Sequence, residues 1–286
     1  MKDIHGPSPQ GGGLFYYRKR FMISSVANKK VKQIVQLQKS AKARREEDVF
    51  VVEGIRMFRE APKEWIRETY ATEEMLTKLE QEGVDISQIE PVTQEVFERI
   101  SDTKTPQGIL TVLSRPKYEP NEILSKEAGC EKKTPALLLF LEDLQDPGNL
   151  GTIFRTSEGA GVTGIVMSKD CVDVFNPKTI RSTMGSVYRM PFIYVEDFVG
   201  AINSAKKNGV KTFAAHLSES TDYDKCIFTG PTGFFIGNEG NGLKKETADL
   251  ADAYLKIPME GQLESLNAAV ATAVLIYEAN RQRRNG

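Results

Sequence analysis

Polar side chains that could act on a phosphate or a hydroxyl occur in one helical stretch of the second half of the chain. The stretch "LQDPGNLGTIFRTSEGAG" (144–161) begins as a turn, offers Asn149 as the N-cap and continues as an amphipathic helix with Asn149, Arg155 and Glu158 on its polar side. A guanidinium can clamp a phosphate through two parallel hydrogen bonds and can orient a nearby hydroxyl. The structural alternative is a surface ion pair between Arg155 and Glu158, which stand three positions apart.

Two further stretches place polar residues where a strand gives way to a loop or a helix. "FFIGNEGNGL" (234–243) sets Glu239 among glycines, and "IPMEGQLESLNAAVATAVLIYE" (257–278) runs through a loop into an alanine-rich helix. The glycine-rich stretch matches neither G-x-G-x-x-G nor GxxxxGK[ST], and its carboxylate suits a ligand with positive charge or hydroxyls. A tight turn without a ligand is the alternative. Because ligands of parallel α/β sheets bind beyond the carboxyl ends of the strands, the three stretches predict one site.

The composition argues against the commoner hydrolase and metal chemistries. The 286 residues include 38 Lys and Arg, 39 Asp and Glu, two histidines and three cysteines, and the cysteines show no CxxC spacing. A zinc site lacks the Cys and His clusters that it needs, and a Ser-His-Asp triad would depend on His216 alone, so we expect neither a metal nor a disulfide framework. A magnesium site held by carboxylates is the open alternative, although no paired-Asp motif indicates one. No apolar run has the length of a membrane span and no signal peptide is evident, so we expect a cytoplasmic protein.

The sequence of the first half of the chain indicates three parts, namely an extension, a small α/β domain and a linker. Residues 1–21 are rich in proline and glycine and predict a disordered extension. The run "NKKVKQIVQLQKSAKARR" (28–45) has seven basic and no acidic residues, which fits either a solvated helix face or a surface that follows nucleic-acid phosphates. Alternating strand and helix patterns define a domain over 22–116, and charged residues with prolines and glycines predict a linker over 117–135.

The second half alternates between short apolar strands and helices, which is typical of a parallel sheet covered on both faces. The predicted strands are 137–143, 164–170, 192–197, 212–217, 233–238 and 253–258. The predicted helices are 149–160, 178–184, 197–207, 244–250 and 265–283. We therefore expect a second α/β domain over 136–286.

Taken together, these stretches resemble the three signature motifs of the SpoU (TrmH) family of SPOUT methyltransferases. The motifs occur in order as N-x5-R-x2-E from Asn149, I-G-N-E-G-x-G-L at 236–243, and the run from Ile257 to Ala271 that contains S-L-N. The segment "NPKTIRSTMGSVYRMPF" (176–192) is similar to the region between the first two motifs. Upstream, the basic run and "FVVEG" resemble the small L30e-like substrate-binding domain of many members.

The resemblance implies a fold and a cofactor. It implies a parallel-sheet catalytic domain with a deep C-terminal trefoil knot, preceded by the small α/β L30e-like domain. It also implies that S-adenosylmethionine binds in a pocket formed largely by backbone groups. The residues that the resemblance assigns to this pocket are Leu217, Gly237, Ile257, Met259 and Leu266. Without the motifs, the last three of these would be interpreted as ordinary core residues.

For the chemistry, the resemblance implies methylation of ribose 2′-hydroxyls in RNA. The residues that it assigns to catalysis are Asn149, Arg155, Glu239, Ser265 and Asn267. Arg155 would engage the hydroxyl and a flanking phosphate. Whether it also accepts the proton or only clamps and orients stays open, because a guanidinium holds its own proton strongly and is a poor base. Glu239 could bind Arg155, orient it or receive the proton through water. Asn267 or Ser265 could instead cap the C-terminal helix.

The same resemblance indicates partners. Ribosomal RNA is the expected substrate, since the L30e-like domain resembles ribosomal-protein RNA binders. A tRNA 2′-O-methyltransferase and a non-catalytic RNA-binding protein are the alternatives, and the presence of Arg155, Glu239 and Asn267 disfavours the second of them. Members of the superfamily are generally homodimers, and the apolar face of the C-terminal helix around Val270 and Tyr277 offers an interface.

Overall fold

The computed structural model describes residues 22–125, 127–128, 134–215, 220–263 and 265–285. The contacts divide the chain into two units, Met1–Arg115 and Pro116–Gly286. Two predictions lie outside the described residues: the disordered extension over 1–21 and the pocket residue Leu217.

The N-terminal unit contains a four-stranded mixed sheet in the order β1-β4-β2-β3. Strands β1 and β2 are antiparallel to β4, and β3 is parallel to β2. These strands span β1 Val49–Glu53, β2 Ile66–Thr72, β3 Ile89–Val92 and β4 Ile109–Ser114. The helices are α1 Lys29–Lys39, α2 Ala41–Glu46, α3 Ile55–Glu60, α4 Glu73–Gln81 and α5 Gln94–Ile100. The predicted small α/β domain is present, with β3 and α4 as elements that the sequence pattern did not indicate.

The basic run forms α1 and α2 and serves two purposes. Arg44 is buried and donates hydrogen bonds to the carbonyls of Leu37 (2.6 Å) and Gln38 (3.1 Å), so it holds the two helices together. Lys30 forms ion pairs with Glu68 (3.5 Å) and Glu90. The remaining basic side chains are exposed: Lys29, Lys32, Lys39, Lys42 and Arg45. Five of the seven cations therefore face solvent, and two are structural.

The second unit is built on a seven-stranded sheet in which every neighbouring pair is parallel. The strand order is β11-β13-β10-β12-β7-β8-β9. These strands span β7 Leu137–Leu141, β8 Gly164–Ser168, β9 Phe192–Val195, β10 Lys211–Ala215, β11 Thr221–Asp222, β12 Thr232–Ile236 and β13 Ala253–Lys256. The predicted parallel α/β architecture is confirmed.

Helices surround this sheet and close its core. They span α6 Pro120–Ile123, α7 Pro147–Ala160, α8 Pro177–Thr183, α9 Phe198–Lys207, α10 Lys245–Ala248 and α11 Ala268–Asn285. All five residues of β7 are buried. Its residues Leu138 and Phe140 pack with Phe198 and Ile202 of α9 in one core cluster, so by strand alternation the residues between them face the opposite side of the sheet. Among the described residues, no helix is long and apolar enough to cross a membrane.

The segment predicted as a linker contributes to the second unit. Ile123 and Leu124 are buried in the same core cluster as Leu138, and the side chain of Asn208 donates a hydrogen bond to the carbonyl of Leu124 (2.9 Å). A two-stranded antiparallel ladder, β5 Glu127–Ala128 with β6 Thr134–Pro135, follows. Because most residues around α6 are charged, the sequence pattern did not show that Ile123 and Leu124 pack against the sheet.

The end of α11 is fastened to the sheet by Arg283, a contact that the sequence did not reveal. Its guanidinium donates hydrogen bonds to the carbonyls of Phe228 (3.0 Å), Gly230 (2.7 Å), Pro135 (2.9 Å) and Ala136 (2.9 Å). These carbonyls precede β12 and β7, so one side chain joins the C-terminal helix to the entry of two central strands.

We expect Arg283→Ala to lower the free energy of unfolding by about 2–3 kcal/mol, because four carbonyls lose a charged donor. The measurement is urea-induced unfolding of the full chain. Arg281→Ala is the matched control, since Arg281 is exposed, donates its hydrogen bonds to Glu278 on its own helix and should change stability little. Equal stability of the two variants would contradict the role of Arg283.

Candidate active site

The first two motifs follow two adjacent strands of the sheet. Strands β7 and β12 are parallel neighbours with Leu141 opposite Ile236, and the backbone N–H of Glu142 donates to the carbonyl of Ile236 (2.9 Å). The turn that follows β7 and the loop that follows β12 therefore meet at the carboxyl edge of the sheet. We call the hydrogen bonds between residues 142–149 and 238–247 the latch.

Glu239 is the centre of the latch. Its carboxylate accepts hydrogen bonds from the backbone N–H groups of Gln145 (3.1 Å) and Asp146 (2.9 Å) and from the side-chain amide of Asn149 (3.1 Å). Partial burial acts to raise the pKa of Glu239, but the hydrogen bonds from Asn149, Gln145 and Asp146 outweigh it and hold the pKa below its usual range. Glu239 is therefore an ionised carboxylate that fixes the turn before α7.

Two acidic residues at the end of β7 complete the latch. Glu142 is buried and accepts hydrogen bonds from the backbone N–H of Lys244 (2.8 Å) and the hydroxyl of Thr247. Asp143 adopts a left-handed conformation (φ 51°), pairs with the ammonium of Lys244 (2.7 Å) and accepts from the hydroxyl of Ser168 (2.7 Å). Burial opposes ionisation of Asp143, but these two partners keep its pKa lower than usual.

Gly237 lets the second loop close on itself. A Cβ atom at this position would lie 2.1 Å from the carbonyl carbon of Gly242 and 2.2 Å from the backbone nitrogen of Leu243. The backbones of Asn238 and Gly242 exchange hydrogen bonds of 3.0 and 2.9 Å across this turn. The first glycine of the motif is thus required by the approach of the loop's own backbone.

Asn149 connects all three motifs. We interpreted it from the sequence as the residue that caps α7, and this was wrong: Asp146 caps the helix and accepts from the backbone N–H of Asn149 (2.8 Å). The side chain of Asn149 is thereby left to donate to Glu239 and to accept from the amide of Asn267 (2.9 Å). Asn149, Glu239 and Asn267 form one hydrogen-bonded chain.

Asn267 also begins the C-terminal helix. Its side-chain oxygen accepts from the backbone N–H groups of Ala269 (2.9 Å) and Val270 (3.3 Å). The helix starts at Ala268 rather than at Ser265, and Ser265 is exposed and makes no hydrogen bond to any other described residue. The capping role therefore belongs to Asn267, which combines it with its contact to Asn149.

Arg155 lies on the outer surface of α7. Its side chain is exposed and forms no ion pair or hydrogen bond with any residue in the described part of the chain. Glu158 instead accepts hydrogen bonds from the hydroxyl of Ser186 and from the guanidinium of Arg189. The alternative of an Arg155–Glu158 ion pair is wrong, and Arg155 presents an uncompensated cation two helical turns from the latch.

The loop that was assigned to the cofactor pocket has unused backbone groups. Ile257, Met259 and Leu266 are half-buried, so they are not closed core residues. Residues 258–263 and 265–266 make no hydrogen bond to another residue that the structure describes. Apolar side chains beside free backbone donors and acceptors fit the flat, polar-edged adenine of S-adenosylmethionine.

Comparison with known proteins identifies the class. Residues 136–277 match the SpoU rRNA Methylase family, and residues 28–111 match the MRM3-like substrate binding domain. The chain belongs to the SpoU rRNA methylase family.

Several related proteins align with nearly the whole chain. The chain is 31% identical to the 23S rRNA (guanosine(2553)-2′-O)-methyltransferase RlmP of Bacillus subtilis over 89% of this chain and 97% of that protein. A crystal structure of an AdoMet-bound rRNA methyltransferase from Sinorhizobium meliloti superposes with a TM-score of 0.77 at 30% identity, over 91% of this chain and 97% of that one. The SpoU methyltransferase AviRb from Streptomyces viridochromogenes with AdoMet gives 0.77 at 26% identity, over 91% and 100%.

The structure brings together some of the predicted residues and adds others. Asn149, Glu239 and Asn267 are in contact, whereas Arg155 and Ser265 make no contact with them through hydrogen bonds. Four further residues hold the latch and were not predicted from the sequence: Glu142, Asp143, Lys244 and Thr247. The signal that could have found them is the pair of acidic residues directly after the apolar run of β7.

Proposed function

We propose that this protein is an S-adenosylmethionine-dependent RNA methyltransferase that modifies ribose 2′-hydroxyls of ribosomal RNA. The observation that carries the proposal is the exposed guanidinium of Arg155, which has no partner among the described residues. It stands on the helix whose first turn is fixed by Glu239 and Asn267 through Asn149. The name of the Bacillus subtilis relative, a 23S rRNA 2′-O-methyltransferase, supports the substrate class.

The cofactor would be held by the second and third motifs. Gly237, Ile257, Met259 and Leu266 would line the pocket, with Leu217 as a further wall. Bound S-adenosylmethionine supplies a methyl group on a positively charged sulfur. The protein's own contribution is a preformed loop, because the latch and the closed turn at Gly237 fix the backbone beside this pocket.

Arg155 would bind and orient the RNA. A guanidinium stays protonated, so Arg155 clamps a phosphate beside the target ribose and turns the 2′-hydroxyl toward the methyl group. Glu239 is occupied by three donors and its pKa is held low, which makes it a positioning residue for the turn and a poor acceptor for the proton of the hydroxyl. The proton would therefore pass to solvent water, which reaches the exposed surface around Arg155.

The test of the function is transfer of labelled methyl groups by the purified full chain. The substrates are 23S rRNA and total tRNA, each transcribed in vitro without modifications. We expect label in rRNA that is recovered as ribonuclease-resistant, alkali-stable dinucleotides. Label in tRNA alone would favour the tRNA alternative, and tight RNA binding without any label would favour a non-catalytic binding protein.

We also propose a homodimer in the cytoplasm. Val270 and Tyr277 on α11 are half-exposed, at 49% each, and they provide an apolar face beside α7. Light scattering at micromolar concentration is expected to give twice the chain mass, and a fully active monomer would overturn the dimer. Fractionation of cells with recovery in the membrane pellet would overturn the location.

The trefoil knot remains a prediction of the family resemblance. Its support is that β13 lies between β10 and β11, and that α11 then returns to contact α7 and β12. Topology rules treat knots as essentially absent, so no periodicity argument leads to one. A crystal structure in which the C-terminal segment runs outside the preceding loops would contradict it.

Glu239→Gln is expected to lower kcat by about tenfold at neutral pH, because one oxygen becomes a donor that faces backbone N–H groups. Since the folded state lowers the pKa of Glu239, the carboxylate contributes stability above its unfolded pKa of about 4, and this contribution is lost as the pH falls through the lower folded value. The stability difference between Glu239→Gln and the wild type should therefore shrink below about pH 4.

The measurement is chemical unfolding between pH 3 and pH 8 together with methyl transfer at neutral pH. Glu246→Gln is the matched control, because Glu246 is an exposed carboxylate in the neighbouring helix α10. A pH-independent difference in stability would show that Glu239 acts by its shape and not by its charge.

A further inference from the structure

The outer surface of α7 is bordered by two flanks of different character. On one flank lies α11, where the hydroxyl of Tyr277 would lie 3.0 Å from a Cβ atom at Gly159 and where Val270 and Tyr277 are exposed apolar side chains. On the other flank lies α8. A Cβ atom at Gly151 would lie 2.4 Å from the Cβ of Ser182 and 2.6 Å from the carbonyl oxygen of Thr179. This close approach fixes α8 along the length of α7.

The second flank is basic. Lys178, Arg181 and Arg189 are exposed, and together we call them the α8 flank. The side chain of Lys178 passes Gly148 near the start of α7, with its Cε 3.8 Å from the position of a Cβ there. Arg189 contacts Glu158 in the last turn of the same helix. From Gly148 to Glu158 the helix rises about 15 Å, so cations border Arg155 on a line longer than one nucleotide.

The carboxylates that pair with Lys178 and Arg189 do not hold these two cations firmly in place. Lys178 pairs with Asp146 at 3.5 Å while their side chains are 59% and 45% exposed. The side chains of Arg189 and Glu158 are 43% and 31% exposed. Ion pairs in such solvent-accessible positions are weak, and a phosphate can replace the carboxylate.

Between the two flanks, the surface of α7 carries mostly short side chains. Thr152 and Thr156 turn their hydroxyls back to the carbonyls of Gly148 (2.8 Å) and Thr152 (2.7 Å), and Gly159 has no side chain. Arg155 is the one long side chain on this part of the helix. A nucleic-acid backbone can therefore approach Arg155 without displacing other groups.

We infer that the α8 flank binds the phosphates of the RNA strand that carries the target ribose, and that the apolar α11 flank is left for protein contacts. This inference rests on the proposed function for the role of Arg155 only. Lys178 and Arg181 track the backbone by charge, as cationic grooves for single strands do. They are substrate-binding residues that hold the strand beside Arg155 and do not contact the methyl donor.

The test compares two double variants of the full chain that remove the same charge. Lys178→Gln with Arg181→Gln changes the α8 flank. Lys207→Gln with Lys211→Gln is the control, because both lysines are exposed. Lys211 is the first residue of β10, so it lies at the amino-terminal ends of the strands, away from the carboxyl edge that carries the candidate site. The probe is unmodified 23S rRNA, and its affinity is measured between 0.05 and about 0.3 M KCl, the range over which phosphate contacts are lost.

The α8-flank variant is expected to bind the rRNA at least about tenfold more weakly at 0.1 M salt, with a slope of log K against log salt reduced by about 1.4 for two lost contacts. Its affinity for S-adenosylmethionine should equal that of the wild type, and its methyl transfer should show a raised KM for RNA with an unchanged kcat. The control variant should keep the wild-type slope. Lys178→Gln alone, which removes one contact, should reduce the salt slope by about half as much.

Equal salt slopes for the two double variants would overturn the inference. So would an altered oligomeric state with unchanged RNA affinity, because the flank would then be a protein interface. Failure of the proposed function appears differently: the wild type would bind rRNA without methylating it. In that case a reduced slope in the α8-flank variant would still support the flank as an RNA-binding surface.

Discussion

Arg155→Ala is expected to reduce kcat by at least about a hundredfold, on the scale of lost positioning and charge stabilisation at a reacting group. Arg155 has no partner in the described part of the chain, so its removal leaves no buried group unpaired and should not disturb the fold. The affinity for S-adenosylmethionine should stay near the wild-type value, because the cofactor pocket is assigned to the loops after β12 and β13. A loss of kcat without a loss of cofactor affinity would therefore show that Arg155 acts on the RNA substrate.

Arg155→Lys should recover little of this activity. An ammonium supplies one charge but not the planar fork that contacts a phosphate and a hydroxyl together. Arg284→Ala is the matched control, since Arg284 is an exposed arginine at the far end of α11. The assay is single-turnover methyl transfer at saturating cofactor. Near-wild-type turnover by Arg155→Ala, or a loss that follows weakened cofactor binding, would remove Arg155 from the reaction.

The architecture of the second unit could be predicted because its signals are local. The run of β7 is apolar at every position, which favours a strand buried on both faces, and the structure buries all five of its residues. The amphipathic pattern of α7 and its polar face with Arg155 are likewise encoded within one stretch. What the local pattern misjudged was the cap, because Asp146 and Asn149 are both good cap residues and only the contact of Asn149 with Glu239 decides between them.

The contacts that hold the site could not be predicted because they join distant parts of the chain. Glu142 and Thr247 are 105 residues apart, and Asn149 and Asn267 are 118 apart. A pattern of charges in one stretch does not say which backbone groups of another stretch will lie beside it. The short strand β3 was missed for a different reason, since it contains Pro91, which the strand pattern disfavours and which only an edge position tolerates.

The tightest packing in the candidate site occurs at Gly237, and we expect Gly237→Ala to weaken S-adenosylmethionine binding by at least about tenfold, the equivalent of the 1–3 kcal/mol that overpacking usually costs. The added methyl group would meet backbone atoms of Gly242 and Leu243 at 2.1–2.4 Å. Backbone cannot move aside as a flexible side chain can, so the turn must open. Opening it displaces Asn238 and Glu239, which contact Asp143 and Asn149.

Gly240→Ala is the control from the same loop. A Cβ atom at Gly240 would meet only the side-chain oxygen of Asn238, at 3.6 Å, which is ordinary contact. The two variants add the same methyl group three residues apart, so a difference between them measures the closed turn and not the chemistry of alanine. Calorimetric titration with S-adenosylmethionine gives the affinities, and thermal unfolding shows whether the fold persists. If Gly237→Ala binds the cofactor as tightly as Gly240→Ala does, the closed turn is not what shapes the pocket, and the assignment of this loop to the cofactor fails.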